Sequence, residues 1–231
     1  MEAVKKGAAV VGVRARDAVV LAVERRAAAK LQDDRTLHKI VRLDENISLA
    51  FAGLSADARV LINTGRIECQ NFRLTVEDQP SVEYITRTLG QTQQRFTQRG
   101  GVRPVGIATI IGGVGADGVP QLWTTDPSGT YSAWKANAVG RNSKSLLELL
   151  EKQYPRDGCS EEEALKLAVR ALLEVVESGA KSIEIGVMRR ARPMEMVDAA
   201  KIEALVKQLA DEKEAEAAGA GAGGAGAGGG R

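Results

Sequence analysis

The sequence predicts an α+β fold with four layers, in which two antiparallel sheets are stacked between two layers of helices (α/β/β/α). Two observations predict it. Short runs rich in β-branched residues come in pairs with turn residues between them, which is typical of antiparallel hairpins. Helical patterns also come in adjacent pairs, so the predicted order of elements along the chain is strands, two helices, strands, two helices, strand, helix. The regular strand–helix alternation of a parallel sheet fits this order less well.

The first half of the chain predicts two hairpins followed by two helices. The predicted strands are residues 8–14, 18–23, 39–43 and 47–52. At Ser55 the spacing of apolar residues lengthens to three to five, which predicts a helix with Ser55 as its N-cap. A second helix is predicted over residues 81–98, with Pro80 at its start.

The second half predicts a similar order. Its predicted strands are residues 105–111, 121–124, 131–139 and 183–188. Helices are predicted over residues 144–153 and 160–178 and from Asp198 to residue 215. The second of these begins with Ser160 and has Glu163 three residues later, which is the pattern of a capping box.

The length of 231 residues fits one large domain, which we assign to residues 1–210. Residues 211–231 are predicted to form the end of the last helix and a tail of Gly and Ala. Such a tail cannot bury enough surface to offset its ordering entropy, so we expect it to be disordered.

The composition argues against several classes of function. Lys and Arg number 32 and Asp and Glu 30, without a clustered basic run, so no nucleic-acid partner is expected. No stretch approaches the roughly 20 apolar residues of a membrane span, and no apolar secretion core follows Met1. We therefore expect a protein of the cytoplasm and nucleus that does not bind membranes.

No cofactor or metal is expected either. A GxGxxG sequence or P-loop does not follow any predicted strand. His38 is the only histidine, and Cys69 and Cys159 lie far apart without a CxxC partner. We interpret His38 as a partly exposed strand residue, the alternative being a Ser-His-Asp scheme, and Cys69 as a buried inert thiol, the alternative being a nucleophile. Asp33-Asp34 could pair for acid–base chemistry, but their polar surroundings favour a solvated turn.

Several blocks in order resemble the alpha subunits of the proteasome core particle (20S). They are residues 2–7 (EAVKKG), 30–36 (KLQDDRT), 51–59 (FAGLSADAR), 98–106 (QRGGVRPVG), 126–130 (DPSGT) and 134–140 (WKANAVG). The resemblance covers residues 2–210 and implies the fold of the N-terminal nucleophile hydrolases. In the family a gating Tyr-Asp-Arg element and a helix precede the first block, whereas here only Met1 precedes Glu2, so the printed sequence is not expected to supply a gate tail.

The resemblance also implies a silent catalytic centre. In the sister beta branch, a Thr hydroxyl attacks the peptide carbonyl and its own α-amine is the base. The matching position here is Ala8, with Ala9 after it, while Glu24 matches the family's acid and Lys39 lies near its Lys. Residues 176–180 do not place the helper Asp and Ser in register. We expect no peptidase activity; an active threonine-type endopeptidase of the beta type is the alternative.

The family's role is structural. Alpha subunits form a seven-membered ring that contacts beta subunits, controls the access of substrates in ubiquitin-dependent protein degradation, and docks activators or the regulatory particle. An activator's C-terminal carboxylate binds in a pocket whose matching residues here are Lys39, Gly7 and Leu54. The alternative for Lys39 is a solvated lysine at a strand end. A free-standing binding domain with the same fold is a third reading, and it predicts a monomer.

Overall fold

The computed structural model describes residues 2–25, 38–176 and 182–222, with side chains as far as residue 212. The predicted Asp33-Asp34 turn, most of the stretch at 176–180 and the end of the Gly/Ala tail lie outside the described residues. Within the described ranges the strands and helices follow the predicted order.

The strands are β1 (Val10–Arg14), β2 (Ala18–Glu24), β3 (Ile40–Arg42), β4 (Ile47–Gly53), β5 (Ile107–Val114), β6 (Pro120–Thr125), β7 (Tyr131–Ala133), β8 (Ala136–Val139), β9 (Ile183–Arg189) and β10 (Glu195–Met196). The helices are α1 (Glu2–Lys5), α2 (Ser55–Val76), α3 (Val82–Gln98), α4 (Ser143–Gln153), α5 (Glu161–Leu173) and α6 (Ala199–Ala222).

The described strands form two sheets of five strands each, and every pair of neighbours is antiparallel. The first sheet has the order β10-β9-β2-β1-β8, and the second has the order β3-β4-β5-β6-β7. The prediction of two antiparallel sheets is confirmed.

Helices cover the outer face of each sheet, which confirms the four layers. Along β1 the side chains alternate: Val11 and Val13 pack in a core with α4, α5 and α6, whereas Val10 packs between the sheets. The outer face of the second sheet packs against α2 and α3 through residues such as Leu49 and Ile111. Period-two alternation of this kind is what a sheet buried on both faces requires.

Two glycines allow the sheets to approach each other. A Cβ atom added to Gly12 on β1 would lie 2.7 Å from Ile110 Cγ2 and 2.9 Å from Leu122 Cδ1. A Cβ atom on Gly112 of β5 would lie 2.7 Å from Val19 Cγ1. Both positions are therefore occupied by the opposite sheet's side chains, and close packing leaves no room for a methyl group there.

The prediction of one strand over residues 131–139 is wrong, because that stretch crosses from one sheet to the other. Trp134 donates its backbone N–H to Leu122 O of the second sheet at 2.8 Å, and Lys135 O accepts from Arg14 N of the first sheet at 2.8 Å. β7 and β8 thus belong to different sheets, with the Trp134-Lys135 link between them.

The helix starts were predicted with mixed success. Ser160 and Glu163 form the predicted capping box of α5. The N-cap of α2 is Leu54, which provides no side-chain cap, so the assignment of Ser55 as the N-cap is wrong. Sequence patterns also missed the short elements α1 and β10, and α6 continues to Ala222, beyond the predicted end.

We expect Gly12→Ala to lower the free energy of unfolding by about 1–3 kcal/mol, because the new methyl group overpacks the interface between the sheets. The measurement is urea unfolding followed by circular dichroism. Gly100→Ala is the matched control, since a Cβ atom there meets nothing within 4 Å. Equal stability of the two variants would contradict the packing argument.

Candidate functional site

The start of β1 is the place where the resemblance puts a nucleophile. Ala8 and Ala9 are buried, with exposed fractions of 1% and 0%. The backbone N–H of Ala9 donates to Glu24 Oε2 at 3.0 Å, and Ala9 O accepts from Glu24 N at 2.8 Å. A methyl group has no lone pair or acidic proton, so neither side chain can attack a carbonyl.

Glu24, which matches the family's acid, is engaged by an arginine that sequence reasoning missed. Arg141 Nη2 donates to Glu24 Oε1 at 2.5 Å and to Val175 O at 3.2 Å. The backbone N–H of Arg141 donates to Gly7 O at 3.2 Å. The Glu24 side chain is only 8% exposed, so the ion pair neutralises a carboxylate that would be costly to bury alone.

A signal for Arg141 was present in the sequence. It directly follows Gly140 at the end of the WKANAVG block, where β8 leaves the edge of the first sheet beside β1. A cation at that sheet end could have been matched to Glu24, which ends the neighbouring strand β2.

His38 and Lys39 lie just before β3 and face a second buried carboxylate. His38 Nδ1 lies 3.0 Å from Glu184 Oε1, and its side chain is 60% exposed. The backbone N–H of Lys39 donates to Glu184 Oε2 at 3.5 Å. His38 is partly exposed as predicted, although it precedes the strand.

The other two residues of the predicted tail pocket, Gly7 and Leu54, lie near each other. A Cβ atom on Gly7 would be 2.5 Å from Gly53 N, so the chain passes directly against β4 at this point. Leu54 follows Gly53, donates its backbone N–H to Gly106 O at 3.1 Å, and has an exposed fraction of 44%.

Lys39 belongs to the same end of β4 by the register of the sheet. Ile40 pairs with Ala50, and the preceding Lys39 therefore lies across from Phe51, two residues before Gly53. Gly7 and Leu54 thus lie at the end of β4, and the register puts Lys39 across from a residue of the same strand.

The two cysteines are free and buried. Burial, assisted by the negative charge of Asp44, raises the pKa of the Cys69 thiol to about 12. The predicted burial of Cys69 is confirmed, and the raised pKa disfavours the thiolate that would act as a nucleophile. Burial also raises the pKa of Cys159.

Neither a metal centre nor a membrane span is found in the part of the chain that the structure describes. Its His, Cys, Asp and Glu residues form no group of three that could hold a metal ion. Within the same ranges, none of the helices has both the length and the apolar surface needed to cross a bilayer.

These observations define a sandwich of the N-terminal nucleophile hydrolase type, with alanines where a nucleophile would stand. Comparison with known proteins agrees. The family described as Proteasome subunit matches residues 4–188, and the chain belongs to this family.

Among its relatives are alpha subunits of two types. It is 58% identical to a proteasome subunit alpha type-7 from Dictyostelium discoideum, over 93% of this chain and 85% of that protein. It is 57% identical to an alpha type-7 subunit from Solanum lycopersicum, over 93% of this chain and 83% of that protein. It is 53% identical to an alpha type-8 subunit from Mus musculus, over 92% of this chain and 86% of that protein. The resemblance to the alpha branch is confirmed.

We expect Arg141→Ala to destabilise the chain by about 1–3 kcal/mol in urea unfolding, because it leaves the Glu24 carboxylate buried without its cation. Adding Glu24→Gln to that variant should restore part of the loss, since a neutral amide can still accept from Ala9 N. Lys5→Ala is the control: it removes a cation from the exposed pair with Glu2 and should cost about 0–0.5 kcal/mol. A loss no larger than in this control would show that the pair is not needed.

Proposed function

We propose that this chain is a catalytically silent subunit of the alpha ring of the 20S proteasome, which contributes to ring assembly, control of substrate access and activator docking in ubiquitin-dependent protein degradation. The observation that carries this proposal is the filled centre at the start of β1. There Ala8 and Ala9 replace a nucleophile, and Glu24 is held by Arg141 and by the backbone of Ala9.

The identity to alpha-type relatives supports the same function, since 53–58% identity extends over nearly the whole chain. The alternative, an active beta-type threonine endopeptidase, needs Thr or Ser with a free α-amine at the start of β1. Here residues 2–7 precede Ala8, and α1 and Gly7 join it to the body of the protein.

The expected partners are neighbouring alpha subunits, beta subunits and proteasome activators or the regulatory particle. We place the assembly in the cytoplasm and nucleus, in line with the composition of the chain. For the activator we propose that Lys39 forms a charge-assisted hydrogen bond with a C-terminal carboxylate, while Gly7 and Leu54 form the walls beside it. The grouping of these residues at the end of β4 supports this pocket.

The ring role is tested by native-gel migration of a tagged copy of the chain from cells, with a fluorogenic peptide laid over the gel. We expect the chain to migrate with a peptide-cleaving particle far larger than its own 24.5 kDa. A single band at the size of a monomer would contradict the ring role, and cleavage by that band would contradict the silent centre.

Lys39→Ala should reduce the stimulation of peptide cleavage by an activator about tenfold or more, because the carboxylate loses its cation. Particle assembly should be unchanged, since the substitution leaves the backbone hydrogen bond to Glu184 in place. Lys144→Ala, an exposed lysine on α4, is the matched control. Unchanged stimulation in the Lys39 variant would rule out its role in the pocket.

A further inference from the structure

A second pocket, away from the tail pocket, has a basic lining. It encloses about 360 Å³ at the turn between β1 and β2. Its four cations come from the end of β1, the β1–β2 turn, the link between β7 and β8, and the loop between α4 and α5: Arg14, Arg16, Lys135 and Arg156.

Hydrogen bonds fix the backbone around this pocket. Arg16 N donates to Cys159 O at 3.0 Å, and the Tyr154 hydroxyl donates to Arg14 O at 2.8 Å. Arg14 N donates to Lys135 O at 2.8 Å, which ties the link between the sheets to the same wall. The cations are therefore carried by segments held in fixed positions, which is what a preorganised site needs.

The positive charge of the pocket is not balanced within the described ranges. None of its four cations forms an ion pair there. Asp157 is the single acidic residue of the lining, and Asp17 lies in the adjacent turn. A further cation, Arg190, packs over Gly118 beside the lining residue Val119.

The nearby Glu163 does not offset this charge fully. Its carboxylate accepts from Ser160 N at 2.7 Å, as part of the capping box of α5, and it acts on Arg16 only through its electric field. Four cations against one lining carboxylate leave a site that attracts a multiply charged anion.

We propose that this pocket binds the phosphate group of a phosphorylated serine or threonine in a partner protein. A phosphate carries up to two charges and three strong acceptor oxygens in a small volume. Guanidinium groups match that geometry with paired N–H donors. A single carboxylate would satisfy fewer of these donors.

The shape of the pocket favours a modified side chain over a long acidic segment. Its volume is at the small end of the range for ligand sites. Beside the charged residues the lining includes the apolar Ala15 and Pro120 and the half-exposed Val119, which can contact the residues next to the phosphate. The proposal does not depend on the role in the ring.

The test uses a fluorescent peptide that carries one phosphoserine among neutral residues. Its binding to the full chain is measured by fluorescence polarisation. The same peptide with Ser or Glu in place of phosphoserine gives the comparison. We expect the phosphorylated form to bind about tenfold or more tightly than either, with affinity falling as salt is added. Equal binding of the Glu peptide would overturn the proposal in favour of general acidic recognition.

The double variant Lys135→Gln/Arg156→Gln should weaken binding of the phosphopeptide about tenfold or more, because it removes two of the four cations. The control double variant Arg59→Gln/Lys152→Gln loses the same charge at exposed positions outside the pocket and should bind normally. Circular dichroism verifies that both variants fold. An equal loss in both would assign binding to net charge, and no loss in either would place it elsewhere; both results overturn the proposal.

Discussion

The ion pair between the buried Glu24 and Arg141 is the interaction on which the start of β1 depends, and through the backbone of Arg141 it also reaches Gly7 of the proposed tail pocket. One oxygen accepts from the backbone of Ala9 and the other from Arg141, which in turn binds Val175 O and, through its backbone, Gly7 O. A single ion pair thereby joins the start of the first sheet, the segment before α4 and the end of α5. The backbone hydrogen bond from Arg141 also ties Gly7, a residue of the proposed tail pocket, to this cluster.

This arrangement differs from the one that a threonine nucleophile needs. Threonine catalysis needs a free α-amine at the start of β1, with room for a substrate beside it. Here the chain runs on from Ala8 into Gly7 and α1, and Gly7 has no room for even a methyl group against β4. The Arg141 guanidinium bonds to the carboxylate that matches the family's acid. The carboxylate thus has a structural role here, since its two oxygens accept from Ala9 N and Arg141 Nη2.

Much of the architecture could be predicted because local patterns and packing agree. Apolar alternation located most strands, and the Ser160–Glu163 spacing located a helix start that hydrogen bonds confirm. The failures have physical causes. The stretch from Tyr131 to Val139 keeps its strand pattern through the crossing between sheets, because both halves are extended. The tail-pocket residues came from a family resemblance, whereas Arg141 needed the pairing of distant elements.

The basic pocket is a second feature that could not be predicted from the sequence, because its charges come together only in the fold. Along the chain its four cations lie in three separate segments, Arg14 with Arg16, Lys135, and Arg156, and Asp17 directly follows Arg16. Antiparallel pairing and the crossing between sheets bring Arg14 and Lys135 onto one wall, and the α4–α5 loop adds Arg156. Balanced composition therefore excludes a long basic surface, as nucleic acid would need, but not a small concentrated site. The sheet order that buries Glu24 with its arginine at one end of β1 thus gathers, at the other end, cations that form no ion pair within the described residues.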